Sequence, residues 1–384
     1  MPDTGKLVFF PWLTLPSSVR VGGFRFVPVK TGDPGSVVGG DVAGTAERIF
    51  SGYVDIRGKP IDTCTVALRI RHQKAWDVPE TLWPKLFQAT RCLALAAMSE
   101  QRFFRQLDPH INATVFRPII QGIEPNQSHL NIFVKRRGGG LKMSGFKLNE
   151  AIFQLPMEAI ETTCPEPSAQ LCRALDSART NETNAWEAIR ESLPFFLLGH
   201  SETDNLPDES CVMLSALAFE RLLDLTASQR NAGNVAEAFA KLWGPHATRT
   251  LGQAKRITAD PHPKYSKEQS GWPIHRKWMK ELYEARSSEV HGRQLPIFSR
   301  NWHAWQHIII AAFAYPLSVK LLLAAEKSYQ LSDKELDHCY AIDALLDSDW
   351  GSGCRRPPEW PDILSDIENR RALQRTLENA LAVS

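Results

Sequence analysis

At 384 residues the chain is long enough for two domains, or for one large domain with an ample buried core. Its hydrophobic content of 43% and charged content of 23% exclude a disordered or fibrous protein. The net charge of +2 excludes a uniformly basic or acidic surface, so any polyanion-binding face has to be local.

The first 145 residues or so read as strands. Leu7–Phe10, Val19–Val21, Phe24–Val27, Thr65–Ile70, Thr114–Phe116 and Leu130–Val134 are short β-prone runs bounded by glycine and proline. The apolar run Leu7–Phe10 is broken by Pro11 and Pro16, too short for a secretory core, and is read as a strand. Asp33-Pro34-Gly35 and Val38-Gly39-Gly40 signal turns around a loop. Between the strands, Glu80–Phe104 carries leucines at helical spacings and predicts a helix packed on the sheet. Arg136-Arg137-Gly138-Gly139-Gly140 lacks the Lys-Ser/Thr ending of a phosphate-binding P-loop and predicts a hairpin turn. The expected first domain, residues 1–180, is α+β with a mixed or antiparallel sheet. It holds no catalytic motif.

From residue 181 to 347 the pattern is helical. Helices are expected over Asn181–Leu198, Asp208–Leu225, Val235–Trp243, from Pro273 to His291 with Gly292 closing it, and over Asn301–Lys327. Ser332-x-x-Glu335 is a capping box opening one more. The apolar stretch Ile308–Val319 is cut by Pro316 and falls short of the roughly 20 residues a membrane span needs, so it reads as a buried central helix. Residues 348–384 are a Gly/Pro/Arg linker and a terminal helix whose apolar side is marked by Ile363, Ile367, Leu373, Leu377 and Leu381. Seven scattered cysteines, never spaced C-x-x-C, argue against a disulfide framework or a zinc ribbon and suit a reducing cytoplasm.

The chemistry is concentrated in Tyr283-Glu-Ala-Arg286-Ser287-Ser-Glu-Val290-His291-Gly292. Arginine is a permanent cation that forks onto phosphate oxygens. Histidine takes and gives protons near neutrality, so the pair is suited to cleaving a phosphodiester without a metal. The spacing alone is cheap, because Arg105 and His110 reproduce it around Asp108-Pro109. On a helical wheel Ile274, Trp278, Leu282 and Ala285 form an apolar stripe, with Met279, Tyr283 and Val290 beside it. Arg286 projects from this apolar arc, where a cation requires an anionic partner. That partner is either a carboxylate from a neighbouring helix, such as Glu220, or phosphate in a groove. His291 lies about 140° round an ideal helix from Arg286, so the two converge only if the helix end unwinds or two chains share a site. Upstream, Arg249, Lys255, Arg256, Lys264, Lys267, Arg276, Lys277 and Lys280 meet little local opposition from Asp260 and Glu268, and read as a solvated face or a polyanion-binding one.

Ala218-Phe219-Glu220-Arg221-Leu222-Leu223, followed by Leu282-Tyr283-x-x-Arg286-Ser287-x-x-Val290-His291-Gly292 and a long apolar helix, resembles the HEPN superfamily, particularly its Apea-like group. The resemblance covers about residues 183–346 and leaves out the N-terminal half. It implies a small antiparallel helical bundle and a metal-independent endoribonuclease that works as a homodimer without a cofactor. Arg286 would stabilise the scissile phosphate, and His291 would act as general base or acid, leaving a 2′,3′-cyclic phosphate and a 5′-hydroxyl. Ser287 stands where active members often carry Asn, Asp or His. Glu220 would orient Arg286, and Tyr283 supports it. Lys255, Arg256, Arg276, Lys277 and Lys280 would contact RNA. Two-part proteins of this kind resemble prokaryotic defence effectors, which implies that the N-terminal part senses or restrains while the HEPN part cleaves cellular RNA. The alternative is a non-catalytic HEPN module that dimerises and binds RNA or nucleotides beside an N-terminal ligand-recognition domain.

Other groupings carry less. His303 and His307 are four apart on a helix but lack the glutamate of an H-E-x-x-H site, so packing is expected instead. Trp272, Trp278, Trp302 and Trp305 have the spacing of core residues more than of a base-stacking platform. Ser210-Cys211 and His338-Cys339 lack triad partners.

Overall fold

A computed structural model describes residues 4–100, 113–136, 139–156, 164–201, 206–246, 249–260, 264–290, 301–348, 350 and 360–383. The chain forms two units. One comprises residues 1–176 with 201–205, and the other residues 177–200 with 206–384.

The first unit is built on a seven-stranded sheet in the order β2-β3-β5-β1-β6-β7-β8. Its strands are β1 (Gly5–Phe10), β2 (Val19–Val21), β3 (Phe24–Lys30), β5 (Thr63–Arg69), β6 (Ile119–Ile123), β7 (His129–Arg136) and β8 (Gly139–Lys147). All neighbouring pairs are antiparallel. Parallel pairing occurs between β4 (Tyr53–Val54) and β9 (Phe153–Gln154), which form a separate ribbon. In the central strand β1, Leu7, Val8, Phe9 and Phe10 are all buried, so both faces of the sheet are covered. On one face Phe9 packs edge-on against Phe50 at 5.0 Å and Tyr53 at 5.2 Å. Phe50 belongs to helix α1 (Ala43–Phe50), which the glycine-rich approach to it hid from the sequence pattern. On the other face Phe10 meets Phe26 at 5.8 Å.

Two local expectations are corrected. Thr114–Phe116 lies in a 3₁₀ turn, and the strand starts beyond Pro118 at Ile119, where the backbone pairs with β1. Three β-prone residues ahead of a proline are too few to form a ladder of their own. The helix expected from Glu80 begins as a 3₁₀ turn and continues as α2 (Trp83–Met98), and residues 101–104 lie outside the described part. Arg136 pairs with Gly139 across the β7–β8 hairpin, as the glycine run suggested.

Helix α3 (Ala169–Thr180) carries the boundary between the units, and its Asp176 carboxylate accepts the Gly22 N–H at 2.7 Å. The second unit is helical: α4 (Asn184–Gly199), α5 (Asp208–Leu222), α6 (Ala232–Trp243), α7 (Lys255–Thr258), α8 (Ile274–Val290), α9 (Ala304–Ala325), α10 (Asp333–Asp347) and α11 (Trp360–Val383). Helix α9 is its axis. Its length and hydropathy would suit a membrane span, yet 83% of its most apolar window is buried inside this unit. Pro316 sits within the continuous helix, inside the Asn301–Lys327 span expected for it. Proline forfeits one backbone bond there, and neighbouring polar groups of α9 are well provided. Tyr315 stacks on Phe196 at 4.1 Å and shares a 2.6 Å hydrogen bond with Ser192. Ser318 accepts from the Trp243 indole at 3.0 Å.

The terminal helix is clasped to α10 by charge. Buried Asp337 accepts from both terminal nitrogens of Arg375, and Arg371 lies 3.6 Å away with its guanidinium 4.1 Å from the Tyr340 ring centroid. The apolar side expected for this helix is split: Ile363 and Leu364 are buried, but Leu373, Leu377 and Leu381 are 62%, 56% and 76% exposed. Helix α11 therefore depends on the Asp337 clasp beyond its first turns. Asp337→Ala is expected to speed amide hydrogen exchange over residues 370–383 while leaving α9 and α10 protected. Unchanged exchange there would assign the docking to the apolar contacts and the His338–Glu368 hydrogen bond.

Candidate functional site

Phe219 explains how the site is assembled. It is fully buried and meets Phe239, Trp278 and Tyr315 edge-on at 5.5, 5.7 and 5.7 Å. This ties α5 to α6, α8 and α9. The next residue, Glu220, is only 2% exposed, and its carboxylate faces α8. A carboxylate withdrawn this far from water requires cations and N–H donors.

Two arginines supply them. Arg286 Nη1 donates to Glu220 Oε2 at 2.8 Å, and Arg230 Nε lies 3.5 Å from Glu220 Oε1. The Arg286 guanidinium also lies over the Tyr283 ring, 5.0 Å from its centroid, as an i, i+3 pair on one helix face allows. Tyr283 in turn donates its hydroxyl to the Arg230 carbonyl at 3.0 Å. Burial, with the Glu220 carboxylate close by, raises the Tyr283 hydroxyl above its ordinary value even against Arg286, so it stays protonated and able to donate. The two arginine side chains keep 24% and 29% of their surface exposed, while Glu220 keeps 3%. The negative charge thus lies inside and the two positive charges lie toward solvent.

The structure brings together Arg286, Glu220 and Tyr283 of the expected site. Ser287 continues helix α8, but its side chain lies outside the described residues, as do His291, Gly292 and the Arg105/His110 pair. Arg230 is the member that sequence reasoning missed. It sits in the connection between α5 and α6, far along the chain from Arg286. The available signal was local: the capping box Thr226-x-x-Gln229 and the N-cap Asn231 flank it and pin its backbone.

The basic stretch upstream is largely neutralised, partly by acids one turn away on the same helix and partly by acids brought from other helices. Arg276 pairs with Glu237 at 2.5 Å and stacks 3.9 Å from the Trp272 ring centroid. Lys280 pairs with Glu284 at 3.5 Å. Lys277 is buried against buried Glu281 at 3.3 Å, out of reach of an external phosphate. Arg256 donates to the Asn301 and Leu346 carbonyls at 3.0 and 3.2 Å, and Arg249 pairs with Asp347 at 2.5 Å. Of the five expected RNA contacts, Lys255 alone is well exposed, with its backbone N–H held by Asp347 at 3.1 Å. Counting Asp260 and Glu268 as the local opposition missed Glu281 and Glu284, one turn on along the same helix, and Glu237 and Asp347, which come from other helices.

The remaining groupings resolve into packing. His303 is the N-cap of α9, and His307 is buried with its ring centroid 6.3 Å from those of both Trp278 and Trp302. Trp278 and Trp302 lie in the core, and Trp305 meets Trp350 edge-on at 5.1 Å. Burial pushes the Cys339 thiol up to about 12 and the Cys211 thiol up to about 11, so neither is a thiolate near neutrality. Comparison with known proteins finds no matching family model, no matching curated protein and no matching solved structure.

Proposed function

We propose that the protein is a metal-independent endoribonuclease of the HEPN type, a homodimeric cytoplasmic defence effector that cleaves cellular RNA. The observation that supports this reading best is the placement of Arg286. Its guanidinium is held at the edge of the bundle by an inner carboxylate and an aromatic ring, with part of it open to solvent. A cation fixed in this way loses little conformational freedom when a phosphate arrives and stabilises the charge that develops on its oxygens.

His291 follows directly on Val290, the end of the described helix. In the proposed reaction an imidazole takes the proton of the ribose 2′-hydroxyl as the 2′-oxygen attacks phosphorus. The bond from phosphorus to the 5′-oxygen breaks, and an imidazolium returns a proton to the leaving 5′-oxygen. Two imidazoles, one from each chain of a dimer, would divide these roles.

The test is direct. Purified protein with a chelator present is expected to cleave single-stranded RNA, leaving 2′,3′-cyclic phosphate and 5′-hydroxyl ends, and His291→Ala is expected to abolish cleavage. Cleavage that survives both His291→Ala and Arg286→Ala would overturn the reading. The Glu220 ion pair favours one second reading, a non-catalytic module in which Arg286 is structural and the bundle binds RNA or nucleotides as a dimer. RNA binding without cleavage by the wild type, in the presence of cell extract as well as alone, would select it.

A further inference from the structure

Glu220 faces two arginines, and the proposed function uses one of them. We propose that Arg230 is a second phosphate-binding residue, so that the site grips an RNA phosphodiester with two guanidiniums set on one buried carboxylate. This inference rests on the endoribonuclease reading above and adds a residue to its site.

Charge order is the first argument. One carboxylate between two guanidiniums leaves a net charge of +1, with the anion 3% exposed and the cations 24% and 29% exposed. A purely structural ion pair needs one cation for one carboxylate. The surplus cation lies on the solvent side, where a monoanionic phosphodiester would neutralise it. Donor geometry is the second argument. Arg230 uses Nε, which donates to the Leu225 carbonyl at 3.0 Å and lies 3.5 Å from Glu220. That leaves the terminal pair of N–H groups, the fork that suits phosphate oxygens, uncommitted to Glu220. Arg286 commits Nη1 to the same carboxylate at 2.8 Å.

Rigidity is the third argument. The connection carrying Arg230 is fixed on both sides. Thr226 and Gln229 form a capping box, and the Asn231 side chain accepts from the Asn234 N–H at 2.9 Å. Tyr283, on the helix that bears Arg286, closes the ring by donating to the Arg230 carbonyl at 3.0 Å. The two guanidiniums are therefore positioned relative to each other by Glu220 and Tyr283 together. A phosphate meeting both would gain from preorganisation rather than from ordering loose side chains.

The experiment uses the full chain and a labelled single-stranded 2′-O-methyl RNA, which binds but cannot be cleaved, titrated over a range of salt concentrations. Cleavage of unmodified RNA is followed in parallel. Arg230→Gln is expected to weaken binding about tenfold and to lower the slope of log affinity against log salt by roughly 0.7. Arg286→Gln should do the same. Arg230→Lys keeps a cation for Glu220 and serves where Arg230→Gln melts early; it should retain the salt slope but lose affinity, because the fork is gone. Wild-type affinity and slope in Arg230→Gln and Arg230→Lys, with Arg286→Gln impaired, would overturn the role of Arg230 and leave the ribonuclease reading standing. A wild type that neither binds nor cleaves RNA would overturn both.

Discussion

Arg286→Ala is expected to lower RNA cleavage by about 10²- to 10³-fold, the loss typical of removing one preorganised donor from a developing oxyanion. The substitution removes a guanidinium that Glu220 and Tyr283 hold in place. Arg286→Lys should recover little, because an ammonium cannot bond Glu220 and a phosphate in the same planar arrangement. Glu220→Gln separates positioning from charge. It removes the inner anion and keeps the shape of the side chain, so Arg286 and Arg230 would repel each other across a neutral amide. Cleavage should then fall through kcat while RNA affinity holds or rises, since net positive charge increases. Equal loss of affinity and rate in Glu220→Gln would instead mean that the cluster holds up the fold, which a parallel loss of melting temperature would reveal.

Lys277→Ala or Glu281→Ala is expected to destabilise the helical unit by about 3–5 kcal/mol, because either change leaves an unpaired charge in the core. Both side chains are buried, at 8% and 3% exposure, and Glu281 also accepts from the Asn301 backbone and side chain at 2.8 and 2.5 Å. Those bonds fix the point where the chain returns to the bundle ahead of α9, so the pair secures topology as well as charge. Replacing both at once, as Lys277→Met with Glu281→Leu, should cost less than the sum of the single changes. The pH dependence has a definite sign. Burial already raises the Glu281 carboxyl, against the pull of Lys277 and Asn301. In Lys277→Ala that pull is weakened and the carboxyl rises further. A carboxyl raised in the folded state binds protons that the unfolded chain has released, so stability falls as pH rises above the ordinary carboxylate range. Denaturant melts of Lys277→Ala should therefore approach wild type at acid pH, where the carboxyl is protonated in both states, and fall progressively further behind as pH rises above the ordinary carboxylate range. A deficit independent of pH would show that lost packing, not charge, is responsible.

Much of the architecture was legible in the residues. Leu7–Phe10, Val19–Val21 and Leu130–Val134 became strands because short β-prone runs between prolines and glycines have few alternatives. Ser332-x-x-Glu335 opened α10 through the same two reciprocal hydrogen bonds that the spacing implies. Helix α1 was not legible, because its apolar residues Ala46, Ile49 and Phe50 make sense only against Phe9 on the sheet and Tyr53 on the β4–β9 ribbon.

The site divides along the same line. Periodicity alone put Arg286 on the apolar arc of its helix and required an anion to meet it, with Glu220 as the named choice, because the cost of an unpaired buried charge does not depend on knowing the fold. Which other groups surround that anion is a matter of how the chain turns after Leu222 and of distances in space, to which helical periodicity is blind. Folding brought Arg230 to Glu220 across a capped turn, and it brought Glu237 and Asp347 to a basic stretch that looked nearly unopposed. The need for a partner is a local property of one side chain. The identity and number of partners are set by packing, since a Coulomb interaction falls with separation in space and takes no account of separation along the chain.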